Sequence, residues 1–206
     1  MNLPGFLALG DSYTIGEGVD ESERWPVQLA RVLREAGTPV GEPRIVARTG
    51  WTTTELTAAI ADARITETFA LVSLLIGVND QFRGHSAADY RGRFRSLVSR
   101  AAAFAGDRPA NVIALSIPDW GVMPFAEGRD RARIARDIDE FNAVAKAETS
   151  DAGAHWVDVT PTSRAVRPGW GAADGLHPSG AQYAVWAALA LEPAKTVLRG
   201  SAPSYL

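Results

Sequence analysis

Three residues near opposite ends of the chain have the types and spacing that nucleophilic catalysis requires. Ser12 follows a short apolar run in the segment Gly10-Asp11-Ser12, and Asp174 and His177 lie three residues apart near the other end. A serine hydroxyl is a weak nucleophile until an imidazole takes its proton, and that imidazole needs a carboxylate to fix its tautomer. The three side chains therefore predict a triad hydrolase.

The segment that holds Ser12 also has a simpler interpretation. Asp and Ser are favoured at helix N-caps and in turns, so Asp11 and Ser12 alone suit either a turn or a catalytic site. The chain has three histidines. We expect His155, at the start of an apolar run, to be structural. We expect His85, in a polar loop, to be solvated or to lie at the rim of a pocket. His177 is then the best candidate for a base.

Two further segments follow apolar runs and carry groups that can donate hydrogen bonds to a reacting oxygen. In residues 77–80 (Gly-Val-Asn-Asp), the amide of Asn79 could stabilise a developing oxyanion. In residues 48–51 (Arg-Thr-Gly-Trp), Gly50 lets a backbone N–H approach a ligand closely. The first segment also has the residue types of a turn, and the single glycine of the second is by itself weak support for a ligand site.

Short apolar runs alternate with longer amphipathic segments along the chain. The apolar runs are nearly continuous, which is typical of parallel strands covered on both faces. We predict strands at residues 6–9, 44–47, 71–76, 111–117 and 155–159. We predict helices at residues 26–35, 53–64, 87–105 and 129–150, and a last helix from Pro178 to about Leu191.

Five strand–helix units in series predict an α/β fold: a three-layer α/β/α sandwich around a parallel five-stranded sheet. We expect one catalytic domain spanning residues 1–206, with irregular stretches at 13–24, 119–128 and 160–176. In an open sheet of this kind, the site lies outside the carboxyl ends of the strands. All the candidate residues follow predicted strands, so we expect them to converge on one edge of the sheet.

Composition excludes several kinds of partner. A formal net charge of -3 provides no basic surface for nucleic acid or for an anionic membrane. Without cysteine, the chain forms neither disulfides nor thiolate metal sites. No run approaches the roughly 18 apolar residues of a membrane span, and residues 1–6 lack the basic stretch of a signal peptide. We therefore expect a cytoplasmic protein without a membrane span.

Motifs for phosphate, cofactor or metal binding are incomplete. Residues 16–18 (Gly-Glu-Gly) have Glu21 where a dinucleotide fingerprint needs its third glycine. No Walker lysine follows Gly10, and Thr14 stands where the nucleophile elbow of α/β-hydrolases needs glycine. No pair of histidines, or of histidine and carboxylate, has the spacing of metal ligands. We expect a protein that needs neither a cofactor nor a metal.

Four segments, in this order, resemble the GDSL family of esterases and lipases, also grouped as SGNH hydrolases. They are residues 8–13 (Ala-Leu-Gly-Asp-Ser-Tyr), 48–52 (Arg-Thr-Gly-Trp-Thr), 77–80 (Gly-Val-Asn-Asp) and 174–178 (Asp-Gly-Leu-His-Pro). Together they span nearly the whole chain. Tyr13 departs from the leucine of the family's first block. The resemblance implies a flavodoxin-like sandwich and hydrolysis of esters or thioesters through an acyl-enzyme.

The resemblance also implies a role for each matching residue. Ser12 would be the nucleophile, His177 the base and Asp174 the group that orients the imidazole. The oxyanion hole would consist of the backbone N–H groups of Ser12 and Gly50 together with the side-chain amide of Asn79.

Large apolar side chains in the loops around the predicted site indicate an apolar substrate. They are Ile15, Trp51, Phe82, Trp120, Met123, Phe125 and Trp170. Any one of them could simply pack its own loop, but apolar walls with few polar groups describe a small-ligand pocket. We expect a serine esterase for short-to-medium acyl or aryl esters. A carbohydrate O-acetyl esterase with the same triad, and a non-catalytic flavodoxin-like binding domain, are the alternatives. The oligomeric state stays open.

Overall fold

The strands form one parallel sheet. A computed structural model describes residues 3–200. Its strands are β1 (Phe6–Gly10), β2 (Pro43–Ala47), β3 (Leu71–Leu75), β4 (Val112–Leu115) and β5 (His155–Val157). The order across the sheet is β2-β1-β3-β4-β5, and every neighbouring pair is parallel. This is the flavodoxin-like strand order, and it confirms the predicted sheet.

The register of the three strands on one side of the sheet levels their carboxyl ends. Gly10, the last residue of β1, pairs with Ala47 at the end of β2 and with Leu75 at the end of β3. Every residue of β1 and β3 is buried, whereas β2 lies at the edge of the sheet and is half-buried. This burial explains why the central strands have continuous apolar sequences.

Eight helices lie in the described part of the chain. They are α1 (Ser12–Ile15), α2 (Trp25–Glu35), α3 (Thr53–Asp62), α4 (Val78–Phe82), α5 (Ala87–Phe104), α6 (Arg131–Asp151), α7 (Thr160–Arg164) and α8 (Gly180–Gly200). Helices α2 and α8 pack together on one face of the sheet, and α3, α5 and α6 form the other layer. The predicted three-layer α/β/α sandwich is therefore confirmed.

The helices differ from the prediction at two kinds of position. The short helices α1, α4 and α7 lie where we expected irregular chain or turns, because four or five residues carry no detectable helical period. The last helix does not end near Leu191 but continues to Gly200 with Pro193 inside it. Proline removes one backbone hydrogen bond, but Ala194, Val197 and Leu198 bury an apolar face beyond it. In residues 3–200, no helix is long and apolar enough to span a membrane.

Candidate active site

A cleft of about 180 Å³ opens at the carboxyl edge of β1, β2 and β3. Four of the residues predicted to be catalytic or to form the oxyanion hole contribute to its walls: Ser12, Gly50, Asn79 and His177. The level strand ends bring Ser12, Gly50 and Asn79 together, since the segments that follow β1, β2 and β3 emerge side by side, and His177 joins them from the loop before α8. The remaining lining residues are Tyr13, Thr49, Val78, Phe82, Trp120, Phe125 and Leu176.

Ser12 is the first residue of α1 and is nearly buried, with 5% of its surface exposed. Asp11 caps this helix, since its Oδ1 accepts a hydrogen bond of 3.0 Å from the backbone N–H of Tyr13. The turn from β1 into α1 is tight. A Cβ on Gly10 would lie 2.5 Å from the carbonyl oxygen of Leu75 and would also meet Thr14. The glycine before Asp11 therefore lets the helix begin directly above the end of the strand.

The loop before α8 holds Asp174 and His177 in a close side-chain pair. The Nδ1 atom of His177 lies 2.6 Å from Oδ2 of Asp174. The other carboxylate oxygen, Oδ1, accepts hydrogen bonds from the backbone N–H groups of Leu176 at 2.9 Å and of His177 at 3.0 Å. The carboxylate thus fixes both the ring and the backbone that carries the ring. With Nδ1 engaged, Nε2 is the ring atom left for proton transfer in the cleft.

Opposing effects act on the ionisation of Asp174. Partial burial works to raise the pKa of this carboxyl group. Hydrogen bonds from the His177 ring and from the N–H groups of Leu176 and His177 outweigh burial and hold the pKa below its ordinary value. The carboxylate is therefore charged at neutral pH, as the partner of an imidazole base must be. The ring of Tyr13 contacts the His177 ring edge-on, with the ring centroids 5.8 Å apart.

Gly50 and Asn79 also line the cleft, and hydrogen bonds join the segments that carry them. Gly50 has a φ of +84°, a conformation that favours glycine, and its carbonyl accepts a hydrogen bond of 2.6 Å from Arg83. The side-chain amide of Asn79 donates to the carbonyl of Trp51 at 2.9 Å. An amide nitrogen has two hydrogens, so one N–H of Asn79 remains for a ligand.

A network that the sequence reading missed anchors the loop of Gly50. Asp80 is fully buried and accepts hydrogen bonds from the backbone N–H of Thr53 at 2.9 Å and from its hydroxyl at 2.7 Å. Glu55 accepts from the N–H of Thr52 at 2.7 Å and pairs with Arg83 at 3.2 Å. The Thr-x-x-Glu pattern at residues 52–55 is a capping-box signature that predicts this helix start. The contacts of Asp80 and Arg83 join distant segments and have no local signal.

The structure brings only some of the predicted pocket residues to the cleft. Phe82, Trp120 and Phe125 line it, and Trp120 is fixed by a 2.9 Å hydrogen bond from Nε1 to Gln81. The other predicted side chains, Ile15, Trp51, Met123 and Trp170, are not among its lining residues.

Local contacts explain these four differences. Ile15 ends α1 beyond the cleft, and Trp51 contributes its carbonyl group, rather than its ring, to the Asn79 contact. Met123 is buried in a separate small cavity below Trp120. The indole of Trp170 lies against Arg167 at 5.3 Å.

Metal-ligand clusters are missing from the part of the chain that the structure describes. No group of three or more His, Asp or Glu side chains in residues 3–200 could hold a metal ion. The groups in the cleft that can act chemically are thus a hydroxyl, an imidazole paired with a carboxylate, and N–H donors. This set can perform acyl transfer through a serine.

The sequence matches the GDSL-like lipase/acylhydrolase family over residues 8–185. The structure of TesA is 25% identical, with a TM-score of 0.70, and the match covers 94% of this chain and 99% of that one. A lipase/acylhydrolase from Enterococcus faecalis is 24% identical over 94% and 96% of the two chains, with a TM-score of 0.68. A variant of an acetyl-xylooligosaccharide esterase from Geobacillus is 22% identical over 93% and 94%, with a TM-score of 0.70. No curated protein matches the sequence.

The fold and the family match together define the class of protein. It is a carboxylic ester hydrolase with a three-layer α/β/α fold. The chain belongs to the GDSL-like lipase/acylhydrolase family, which confirms the resemblance carried by the four sequence segments.

Asp11, next to Ser12, is a buried carboxyl group with few hydrogen bonds to offset the loss of its hydration. It is fully buried, and its Oδ2 atom has no hydrogen-bond partner among the described residues. Burial, together with the nearby charge of Asp80, raises the pKa of Asp11 to about 8 against the lowering effect of the Tyr13 N–H. Asp11 is therefore largely protonated at neutral pH.

Replacing Asp11 with asparagine tests this protonation. Between about pH 4 and pH 8, the folded protein keeps a proton that the unfolded chain has released, so stability falls as pH rises through this window. Asparagine has the shape of the neutral acid and does not ionise. We therefore compare the free energy of unfolding of Asp11→Asn with that of wild type. We expect the difference, variant minus wild type, to be lowest near pH 4 and to rise by about 2–5 kcal/mol towards pH 8.

Urea unfolding at pH 4.5, 6 and 8 measures this difference. Asp62→Asn is the matched control, because Asp62 is exposed at the end of α3. A stability difference for Asp11→Asn that stays constant over these pH values would show that Asp11 is ionised in the folded protein.

Proposed function

We propose that this protein hydrolyses carboxylic esters by a serine mechanism in the cleft. Ser12 attacks the carbonyl carbon of the ester while His177 takes the hydroxyl proton. His177 then gives that proton to the departing alcohol, and an acyl group remains on Ser12. Water attacks the acyl-enzyme with His177 again as the base, which releases the acid and restores Ser12.

One observation carries this proposal. Asp174 holds Nδ1 of His177 at 2.6 Å, and that imidazole shares a cleft with the hydroxyl of Ser12, which begins a helix at the end of β1. A carboxylate–imidazole pair facing a serine is the arrangement that raises the nucleophilicity of a hydroxyl group. A non-catalytic binding domain has no need of such a pair.

The negative charge of the tetrahedral intermediate would be stabilised by three donors. They are the backbone N–H groups of Ser12 and Gly50 and the free amide N–H of Asn79. The anchoring of the Gly50 loop by Arg83 and Asp80 supports this role, because donors that are fixed before the reaction stabilise a transition state best.

The substrates that we propose are short-to-medium acyl or aryl esters, including thioesters. The cleft volume of about 180 Å³ and the rings of Phe82, Trp120 and Phe125 support this size and character. The likeness to an acetyl-xylooligosaccharide esterase keeps sugar acetates as the second candidate class. We propose that the protein works in the cytoplasm, because it has no cysteine with which to form the disulfides that are common in oxidising compartments.

Loss of Ser12 or His177 tests the mechanism. We expect Ser12→Ala and His177→Ala each to lower kcat/KM by about 10⁴-fold or more, because nucleophile and base act as a unit. Hydrolysis of nitrophenyl butyrate measures the rate, and a fluorophosphonate probe reports the activated serine by covalent labelling. Ser96→Ala, an exposed serine on α5, is the control and should keep both activity and labelling. Normal turnover by pure Ser12→Ala would refute the assignment.

The donor role of Asn79 predicts a separate kinetic signature. We expect Asn79→Ala to lower kcat by about 10²–10³-fold with little change in KM, because an oxyanion donor acts mainly in the transition state. Steady-state kinetics on nitrophenyl butyrate separate the two constants, and circular dichroism checks the fold. A loss that falls wholly on KM would make Asn79 a substrate-binding residue instead.

The apolar wall of the cleft predicts the order of substrates. We expect kcat/KM on nitrophenyl butyrate to exceed that on acetylated xylan by about tenfold or more. One additional methylene group in an apolar pocket already raises kcat/KM by about 10-fold or more. Release of nitrophenol and of acetate measures the two rates. Equal values would favour the sugar-acetate candidate and leave the roles of Ser12 and His177 unaffected.

A further inference from the structure

Three aromatic rings form a cluster at the mouth of the cleft. Phe82 lies 5.4 Å from Trp120 and 6.3 Å from Phe125 between ring centroids, and Trp120 lies 6.1 Å from Phe125. Phe82 is 48% exposed and Phe125 is 40% exposed. All three rings also line the cleft that holds Ser12 and His177. The ring cluster is therefore a surface that a bound ester can reach.

One cation lies against all three rings. The guanidinium carbon of Arg129 is 4.9 Å from the centroid of Phe125, 5.5 Å from that of Phe82 and 5.6 Å from that of Trp120. Arg129 is exposed, and its contact with the rings is a cation–π interaction that holds the long side chain in place.

The charge of Arg129 has no carboxylate partner among the described residues. Arg83 and Arg164, by contrast, are paired, with Glu55 at 3.2 Å and with Asp119 at 2.8 Å. In residues 3–200, no carboxylate forms an ion pair with Arg129. Its chain neighbour Asp130 uses its Oδ1 to cap α6. The cleft therefore has an unneutralised positive charge at its rim.

The rings against which Arg129 lies are held at two points. Trp120 is held by the hydrogen bond to Gln81, and the backbone N–H of Phe125 donates to the carbonyl of Gly175 at 2.9 Å. Gly175 lies between Asp174 and His177, so the segment that carries the ring cluster is tied directly to the loop of the imidazole. A guanidinium fixed in this way can bind a carboxylate or phosphate with two parallel hydrogen bonds and little loss of conformational entropy.

We propose that Arg129 is a specificity-determining residue that binds an anionic group of the substrate, a carboxylate or a phosphate, while the apolar part of the ester lies on the ring cluster. The preferred substrates are then esters that carry a negative charge beyond their apolar portion. This inference rests on the proposed ester hydrolysis in the same cleft and names the substrate class within it.

Two pairs of esters test the proposal, each matched in size and different in charge. The first pair, 3-carboxyphenyl butyrate and 3-carbamoylphenyl butyrate, has the difference in the alcohol. The second pair, the monophenyl ester of adipic acid and phenyl 5-carbamoylpentanoate, has it in the acyl group. The measured quantity is the ratio of kcat/KM for the carboxylate to that for the amide. Comparing this ratio between wild type and variants cancels the intrinsic reactivity of the esters.

We expect Arg129→Gln to lower this ratio by about 5- to 20-fold for at least one pair, through a higher KM for the carboxylate at unchanged kcat. Arg129→Lys should give an intermediate ratio, because lysine keeps the charge without the planar fork. Arg136→Gln removes the same charge from an exposed position on α6 and should keep the wild-type ratio. The wild-type preference should shrink between about 0.02 M and 0.5 M NaCl, as screening predicts.

Three results would contradict the proposal, and each has a different meaning. Equal losses on carboxylate and amide esters in Arg129→Gln would show that Arg129 only packs the rings. Unchanged ratios in both pairs, with normal cleavage of the amides, would overturn the proposal and leave ester hydrolysis intact. No cleavage of any of the four esters, together with no labelling of Ser12 by the fluorophosphonate probe, would overturn the proposed function and this inference with it.

Discussion

The parallel pairing of β1 with both β2 and β3 decides where the reacting groups can meet. Gly10 stands level with Ala47 and with Leu75, so three consecutive loops leave the sheet at the same height. A slip of one strand by two residues would displace its loop by about 7 Å along the strand direction. That displacement exceeds the reach of a hydrogen bond. The cleft between Ser12 and Asn79 therefore depends on a register that is specified by burial of β1 and β3 far from the cleft.

Two aspartates near the cleft have pKa values that their surroundings shift in opposite directions. Asp174 receives the ring of His177 and two backbone N–H groups, and its pKa lies below the ordinary value. Asp11 receives one N–H, is fully buried, and has its pKa raised to about 8. Full burial raises the pKa of Asp11 against a single hydrogen bond, whereas Asp174 is only partly buried and its three hydrogen bonds lower its pKa. A charged Asp174 suits an imidazole partner, and a neutral Asp11 places no negative charge near the oxyanion that would form on the substrate carbonyl in the proposed mechanism.

Local sequence patterns predicted the fold well, because its main elements have local causes. Buried strands give continuous apolar runs, and long helices give a period that can be recognised. The short helix that begins at Ser12 has no such period, and the helix after Gly180 continues past Pro193 because tertiary burial compensates for one missing hydrogen bond. The contact between Asp174 and His177 was also predictable, since a three-residue separation places both in one loop.

The residues that form the walls of the cleft were harder to predict from the sequence than the fold. Whether an aromatic ring faces the cleft depends on contacts between loops that are distant in sequence. Phe125 reaches it because its N–H bonds to Gly175 across about fifty residues of chain, whereas Trp51 turns its ring elsewhere and supplies a carbonyl. The same Phe125–Gly175 bond joins the rings that line the cleft to the loop that holds His177. In the mechanism that we propose, this backbone hydrogen bond would link the wall that receives the substrate to the loop of the base, beside the contacts of His177 with Asp174 and Tyr13.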